Sequence, residues 1–396
     1  MSIHFSKERW LETEKNYSAW WKGDLDRPLF KVTVKHAFEP DREKPRVPLL
    51  SQKTCHDFQY SAEEIIDALD YELSQSEFLG DAFPFVNMAA FGPGSLAGFC
   101  GARMDNSTGS VWYFPEERKE IQDIHIQYDK DNKWVRRIKE IYHAGQERWG
   151  GMVLMSMPDL GGIQDVAAIF ADSTELMCQL MEEPEEVHRL QEEAYHAFLE
   201  AYEDFNSVLQ PVNPGYSDWG GLYSKDPSYI LQDDFAYMIS PEMFVEFGLP
   251  EIRKACKYLT NTIYHLDGTG NLNHLEYLLK EDINAVQWVY GAGQPSARHW
   301  METYDKIHHA GKGIEVIGDL DDFRALYSKF PKGLYYHVLV DDRDGNAMKT
   351  IDEKDCLNNY CVVPRDKKEE VIKLLEEVLR KGNPQKPDPL LPNNLI

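Results

Sequence analysis

Cysteine, long apolar runs and positive charge are all in short supply here, and each shortage excludes something. The six cysteines, at 55, 100, 178, 256, 356 and 361, include no CxxC spacing and are too sparse for a disulfide framework, so reduced thiols are expected. No run is apolar over the roughly eighteen residues that a bilayer crossing demands. The first residues, Met1-Ser2-Ile3-His4-Phe5-Ser6-Lys7-Glu8, lack an apolar signal core, and the expected location is the cytoplasm. Forty-two Lys and Arg against 67 Asp and Glu leave a formal charge of -25, which repels nucleic acid and anionic membrane faces. The cationic pairs Arg136-Arg137 and Lys367-Lys368 read as solvated helix faces mixed with acids. Small molecules or proteins are the partners this leaves, a second copy of the chain among them. No Gly-x-Gly-x-x-Gly follows an early strand, so a dinucleotide fold lacks its fingerprint, and no solenoid repeat is visible.

What is present is apolar substance, 42% of 396 residues, in a pattern of alternating elements. An aromatic helix spans Ser6 to Lys22, and Asp26-Arg27-Pro28 ends it ahead of the strand Leu29 to Val34. Ser61-Ala62-Glu63-Glu64 is a capping box opening a helix to about Ser76. Further strands are expected at Phe83 to Phe91, Gly151 to Met157, within Val208 to Trp219, and at Thr262 to Asp267, Ala285 to Val289, Gly313 to Ile317 and Leu334 to Leu339, with helices between them. A Gly-, Ser- and aromatic-rich excursion from Gly101 to about Gln127 reads as a lid or rim carrying a short hairpin. Eight strands joined by helical crossovers predict a (β/α)8 TIM barrel with an N-terminal helical extension, one domain over residues 1–382 and a proline-rich tail over 383–396.

In such a barrel the chemistry sits at the C-terminal ends of the strands. Those ends supply Asn87, Asp159, Asp218, His265, Asp267, Gln287, Trp288 and His337, with Asp233-Asp234 ahead of the Ser240 helix. His265 and Asp267 stand out because strand side chains alternate, so two residues apart they share a face, and Gly268 lets the chain turn after them. They can ligate a divalent metal such as zinc or serve as an acid/base pair. Asp159, Asp234 and Gln287 are the candidates for a third ligand, and Cys356 and Cys361 lie beyond the last strand where they could reach inward. Asp159 and Asp234 are also candidate catalytic residues, as further polar contacts of the site. Gln287, Trp288, Trp219, Tyr290 and Asn87 are candidate substrate-binding residues, since aromatic rings shape small-molecule pockets.

Several stretches together resemble the uroporphyrinogen decarboxylase-like superfamily: Asp26-Arg27-Pro28, Phe91-Gly92-Pro93-Gly94, Ile239-Ser240-Pro241-Glu242-Met243-Phe244 and Tyr264-His265-Leu266-Asp267-Gly268. The resemblance is to its corrinoid-associated methyltransferase branch, and it implies methyl transfer between a small methylated substrate and a corrinoid carried by a partner protein. In the zinc enzymes of that branch a His-x-Cys pair ends the corresponding strand; here Asp267 stands where that pattern has cysteine. That departure keeps open a non-catalytic ligand-binding relative. Decarboxylation of a polyanionic porphyrinogen fits less well, because the chain as a whole is strongly acidic and would repel such a substrate.

Overall fold

The computed structural model describes residues 3–338, 362, 363 and 365–382. The chain begins with α1 (Lys7–Trp21), whose N-cap Ser6 accepts a hydrogen bond from the Arg9 amide and so satisfies one of the first-turn donors that a helix leaves unpaired. β1 (Leu29–Val34), α2 (Ala62–Ser74) and β2 (Glu77–Gly80) follow, α2 opening on the capping box expected at Ser61. Next come β3 (Phe85–Val86), α3 (Ser95–Phe99), the hairpin of β4 (Arg103–Asp105) and β5 (Trp112–Phe114), α4 (Lys133–Trp149) and β6 (Leu154–Met155). α5 (Ile163–Ala171), α6 (Ser173–Glu182) and α7 (Pro184–Leu209) precede β7 (Ser228–Gln232). α8 (Pro241–Met243) passes through a π-helical stretch, Phe244–Gly248, into α9 (Leu249–Tyr258). Then β8 (Asn261–Asp267), α10 (Leu275–Leu278), β9 (Ala285–Val289), α11 (Met301–His309), β10 (Gly313–Gly318), α12 (Leu320–Lys329) and β11 (Leu334–Val338) alternate, before β12 (Val362–Val363) and α13 (Lys368–Gly382).

The result is a mixed α/β fold around a parallel-rich sheet. β7, β8, β9, β10, β11, β1 and β12 lie side by side in that order with every neighbouring pair parallel, so the first strand of the chain pairs with a late one, β11. β2 folds back antiparallel on β1, and β3 and β6 form a parallel pair of their own. Parallel strands need crossovers of a dozen or more residues, which the helices between them provide.

One expected strand moves. Val208 to Trp219 holds the end of α7 and an irregular loop with a single bridge, Tyr216 to Ser224, and the strand comes later as β7. Pro211 and Pro214 cannot donate to a ladder, whereas Ser228-Tyr229-Ile230-Leu231-Gln232 is buried on both faces and so lacks the alternation that marks a half-exposed strand. The tail over 383–396, with Cys356 and Cys361, lies outside the described residues. Among the described residues no helix is long and apolar enough to cross a membrane.

Leu29, Phe85, Leu154, Ile230, Ile263, Ala285 and Tyr335, one from each of seven parallel strands, meet in a single apolar cluster with Tyr17 and Trp20 of α1. Fully burying side chains of this size contributes about 1.5–3 kcal/mol each. That anchorage is reinforced by charge. Arg27 holds Asp81 through two hydrogen bonds of 2.7 Å, and the same carboxylate accepts from the Phe30 amide at 3.0 Å and from Asn16 at 3.2 Å. Asp81 is fully buried and Arg27 nearly so, which gives the Asp26-Arg27-Pro28 stretch a structural role. Asp81→Ala removes the buried carboxylate that Arg27 holds and that compensates its charge there, and we expect a loss of about 3–5 kcal/mol in denaturant unfolding, where an exposed ion pair would cost under about 1 kcal/mol.

Candidate functional site

β8 sets the site. Thr262, Tyr264 and Leu266 are fully buried on one side of the strand, while His265 and Asp267 share the other and remain half-buried, the alternation that a pleated strand imposes. Gly268 follows with φ +76, a conformation that L side chains rarely adopt, and turns the chain at the strand end. Next door, two residues past β7, stands Asp234. Asp165 of α5 accepts from the backbone amides of Asp234 at 3.1 Å and Phe235 at 2.8 Å and so fixes this loop. One ligand atom each from Asp234, His265 and Asp267 lie within 4.8 Å of one another, a spacing that can hold a metal ion.

His265 is held from behind. Its Nδ1 meets Gln287 Oε1 of β9 at 2.5 Å, and the Gln287 amide donates to Glu315 Oε1 of β10 at 2.8 Å, which orients Gln287 Oε1 as the acceptor. The imidazole therefore carries its proton on Nδ1 and leaves the Nε2 lone pair for a ligand. Trp219 packs edge-on against the ring at 4.9 Å between centroids. His337 of β11 reaches the same Glu315 oxygen through Nε2 at 2.7 Å, and the neutral tautomer can donate there without a charge on either group.

Four adjacent strands thus carry a continuous chain from His265 through Gln287 and Glu315 to His337. Fully buried Lys31 of β1, whose ammonium donates to the Gly221 carbonyl at 2.8 Å between the rings of Phe83 and Phe85, adds its charge to the same interior. Burial pushes Glu315 up to about 8, against the pull of Gln287, His265 and Lys31. Burial, then the Glu315 charge, raises Asp218 to about 7. Water reaches Asp234, which is exposed, although protein atoms crowd it closely elsewhere; that crowding first and Asp267 second raise its carboxyl to about 6, a shift that the exposure moderates.

The expected site residues divide accordingly. His265, Asp267, Asp234, Gln287 and Trp219 come together. Asp159 is buried and accepts from the Gly161 amide at 3.1 Å, closing a turn. Asn87 caps a 3₁₀ turn through the Ala89 amide and donates to the Trp219 carbonyl at 3.0 Å, which supports the loop bearing that ring. Trp288 lies one residue from Gln287 and hence on the opposite face, buried against Trp300, and Tyr290 stacks on that same ring. Glu315 and Lys31 did not emerge as site candidates from strand ends, because both sit mid-strand. The legible signal was a lone charge inside an apolar run, Ile314-Glu315-Val316 and Phe30-Lys31-Val32.

No family model and no curated protein matches the chain. Among solved structures it is similar to a methyltransferase from Methanosarcina mazei, with a TM-score of 0.53 at 15% identity over 83% of this chain and 93% of that one. At that identity the likeness is one of fold.

Proposed function

We propose that this chain is a (β/α)8-barrel methyltransferase of the uroporphyrinogen decarboxylase-like superfamily that moves a methyl group between a small methylated substrate and a corrinoid carried by a separate protein. The observation that carries the reading is the convergence of Asp234, His265 and Asp267 at the C-terminal ends of two adjacent parallel strands, the last two within β8 and Asp234 just past β7. The pairing of β1 with β11 and the meeting of side chains from seven strands above α1 support a closed barrel, and the similarity to a methyltransferase fold supports the reaction class.

The donor set fits a divalent metal: one imidazole with its second nitrogen engaged by Gln287, and two carboxylates. With two hard oxygens and no thiolate among the described residues, it suits zinc, cobalt or manganese without favouring zinc strongly. Cys55, Cys100, Cys178 and Cys256 are not part of the cluster, and burial pushes Cys55 and Cys100 up to about 12, which keeps them as inert thiols. A metal held there would act as a Lewis acid on the heteroatom that bears the methyl group.

The protein's own groups have separate tasks. Trp219 walls the approach to His265 and limits water. Asp234 is placed to help hold the metal as a deprotonated ligand, and the heteroatom that gives up its methyl group leaves with its bonding pair and takes its proton from solvent. The test is methyl transfer from a panel of methylated amines, thiols and ethers to free cob(I)alamin under reducing conditions, followed by absorbance. We expect turnover with at least one donor and a loss of at least ~100-fold in His265→Ala. Absence of transfer from every donor, with the cognate corrinoid protein also supplied, would overturn the reading.

A further inference from the structure

Asp234 faces the site, but its neighbour Asp233 turns the other way, into a space behind β7. There α5, α7, the π-helical stretch and α9 line a partly open cavity of about 30 Å³, room for roughly two water-sized occupants. Gln164, Asp233 and Glu251 line it, each at least nine-tenths buried.

The polar atoms of these three residues are unevenly matched. Asp233 Oδ1 accepts from the Ala236 amide at 3.1 Å and Glu251 Oε1 from Lys254 at 3.0 Å, yet Asp233 Oδ2, Glu251 Oε2 and both amide atoms of Gln164 have no hydrogen-bond partner among the described residues. Gln191 donates to the Phe247 carbonyl on the cavity wall and leaves its own Oε1 unmatched as well. Three buried oxygens on the lining, those of Asp233, Glu251 and Gln164, thus await a positive or donating occupant, against a single waiting N–H donor group, while Gln191 itself is not a lining residue. Leaving such atoms bare costs about 1–3 kcal/mol each. Water would satisfy acceptors but bring lone pairs that need donors of their own, and among the described residues Gln164 Nε2 is the one unmatched donor on the lining. A cation brings none.

Phe247 and Gly248 border the cavity from a π-helical stretch, a rare departure from α-helix that accompanies functional sites, and a Cβ on Gly248 would strike the Phe244 ring at 2.5 Å and stand 3.0 Å from Asp233 Oδ2. We propose that this cavity binds one monovalent alkali cation, held by the carboxylate oxygens of Asp233 and Glu251 and the amide oxygen of Gln164. Two carboxylates, one of them already shared with Lys254, and a neutral amide suit a single charge better than a double one. Because Asp233 and Asp234 are adjacent, the bound ion would also steady the loop that carries Asp234 to the opposite side.

The full-length His265→Ala protein, whose front cluster is broken, is melted in sodium, potassium or choline chloride at one fixed ionic strength, so that screening is constant. We expect Tm to rise saturably, by ~5 °C at a hundredfold excess over Kd, with sodium or potassium and not with choline, and Gln164→Leu to abolish the response. Thallium(I) soaked into crystals of the unaltered protein should give an anomalous peak between Gln164 and Asp233. Equal melting in all three salts, or a cavity without thallium density, would overturn the proposal and leave ordered water as the occupant. A response that survives Gln164→Leu would overturn it too.

Discussion

Replacing His265 with alanine is expected to weaken divalent-metal binding at least ~100-fold, because among the described residues it removes the one nitrogen ligand and leaves Asp234 and Asp267. Gln287→Leu should cost less, about 10–100-fold, since it spares the ligand and removes only the acceptor that fixes the proton on Nδ1. The order of the two losses separates a metal site from a hydrogen-bonding cluster, in which Gln287 would matter as much as His265. Affinity should also fall with acidity. Ligands bind deprotonated, and Asp234 is raised to about 6, so binding should weaken toward tenfold per pH unit below that value. Competition titrations with a chromophoric chelator from pH 5 to 8 would measure all three effects.

The second large effect is on stability and comes from Glu315. Its carboxyl is raised from the model-compound 4.5 to about 8, and that of Asp218 from 3.8 to about 7, in both cases mainly by burial. The folded chain therefore holds protons that the unfolded chain releases, so stability is greatest below about pH 4 to 5 as far as these groups are concerned. It declines as pH rises toward 8. Glu315→Gln keeps an acceptor for the Gln287 amide and for His337 while removing the ionisation. We expect this variant to be the more stable at pH 8.5, by up to about 5 kcal/mol, and to show a flatter melting profile than the parent between pH 5 and 8.5. A variant less stable than the parent at pH 8.5 would mean that Glu315 is ionised in the fold and paired with a charged His337.

Period-two alternation and a following glycine were enough to single out His265 and Asp267, since both are local. Asp234 was a weak candidate among many surface acids, and its approach to His265 depends on the β7–β8 pairing and on the Asp165 bonds across some seventy residues of chain. Gln287 and Trp288 could not both face the site, being consecutive in one strand, and parity alone did not say which did. Asp159 and Asn87 occupy strand ends, as a site residue would, but spend their oxygens on nearby amides. Glu315 and Lys31 escaped notice because attention to strand ends passes over charges in mid-strand, where a buried interior requires a specific reason for keeping them. The displaced fourth strand came from reading aromatic richness around Tyr216 and Trp219 as strand propensity, where Pro211 and Pro214 exclude a ladder.

The metal site is the claim on which the rest of the functional reading leans, and metal content tests it most directly. Protein purified without chelator, loaded with zinc, cobalt or manganese and freed of excess metal, should hold about one equivalent by elemental analysis, and His265→Ala should hold less than about a tenth. Less than about a tenth of an equivalent in the unaltered protein with all three metals would contradict the account, leaving Asp234, His265 and Asp267 as an acid/base cluster.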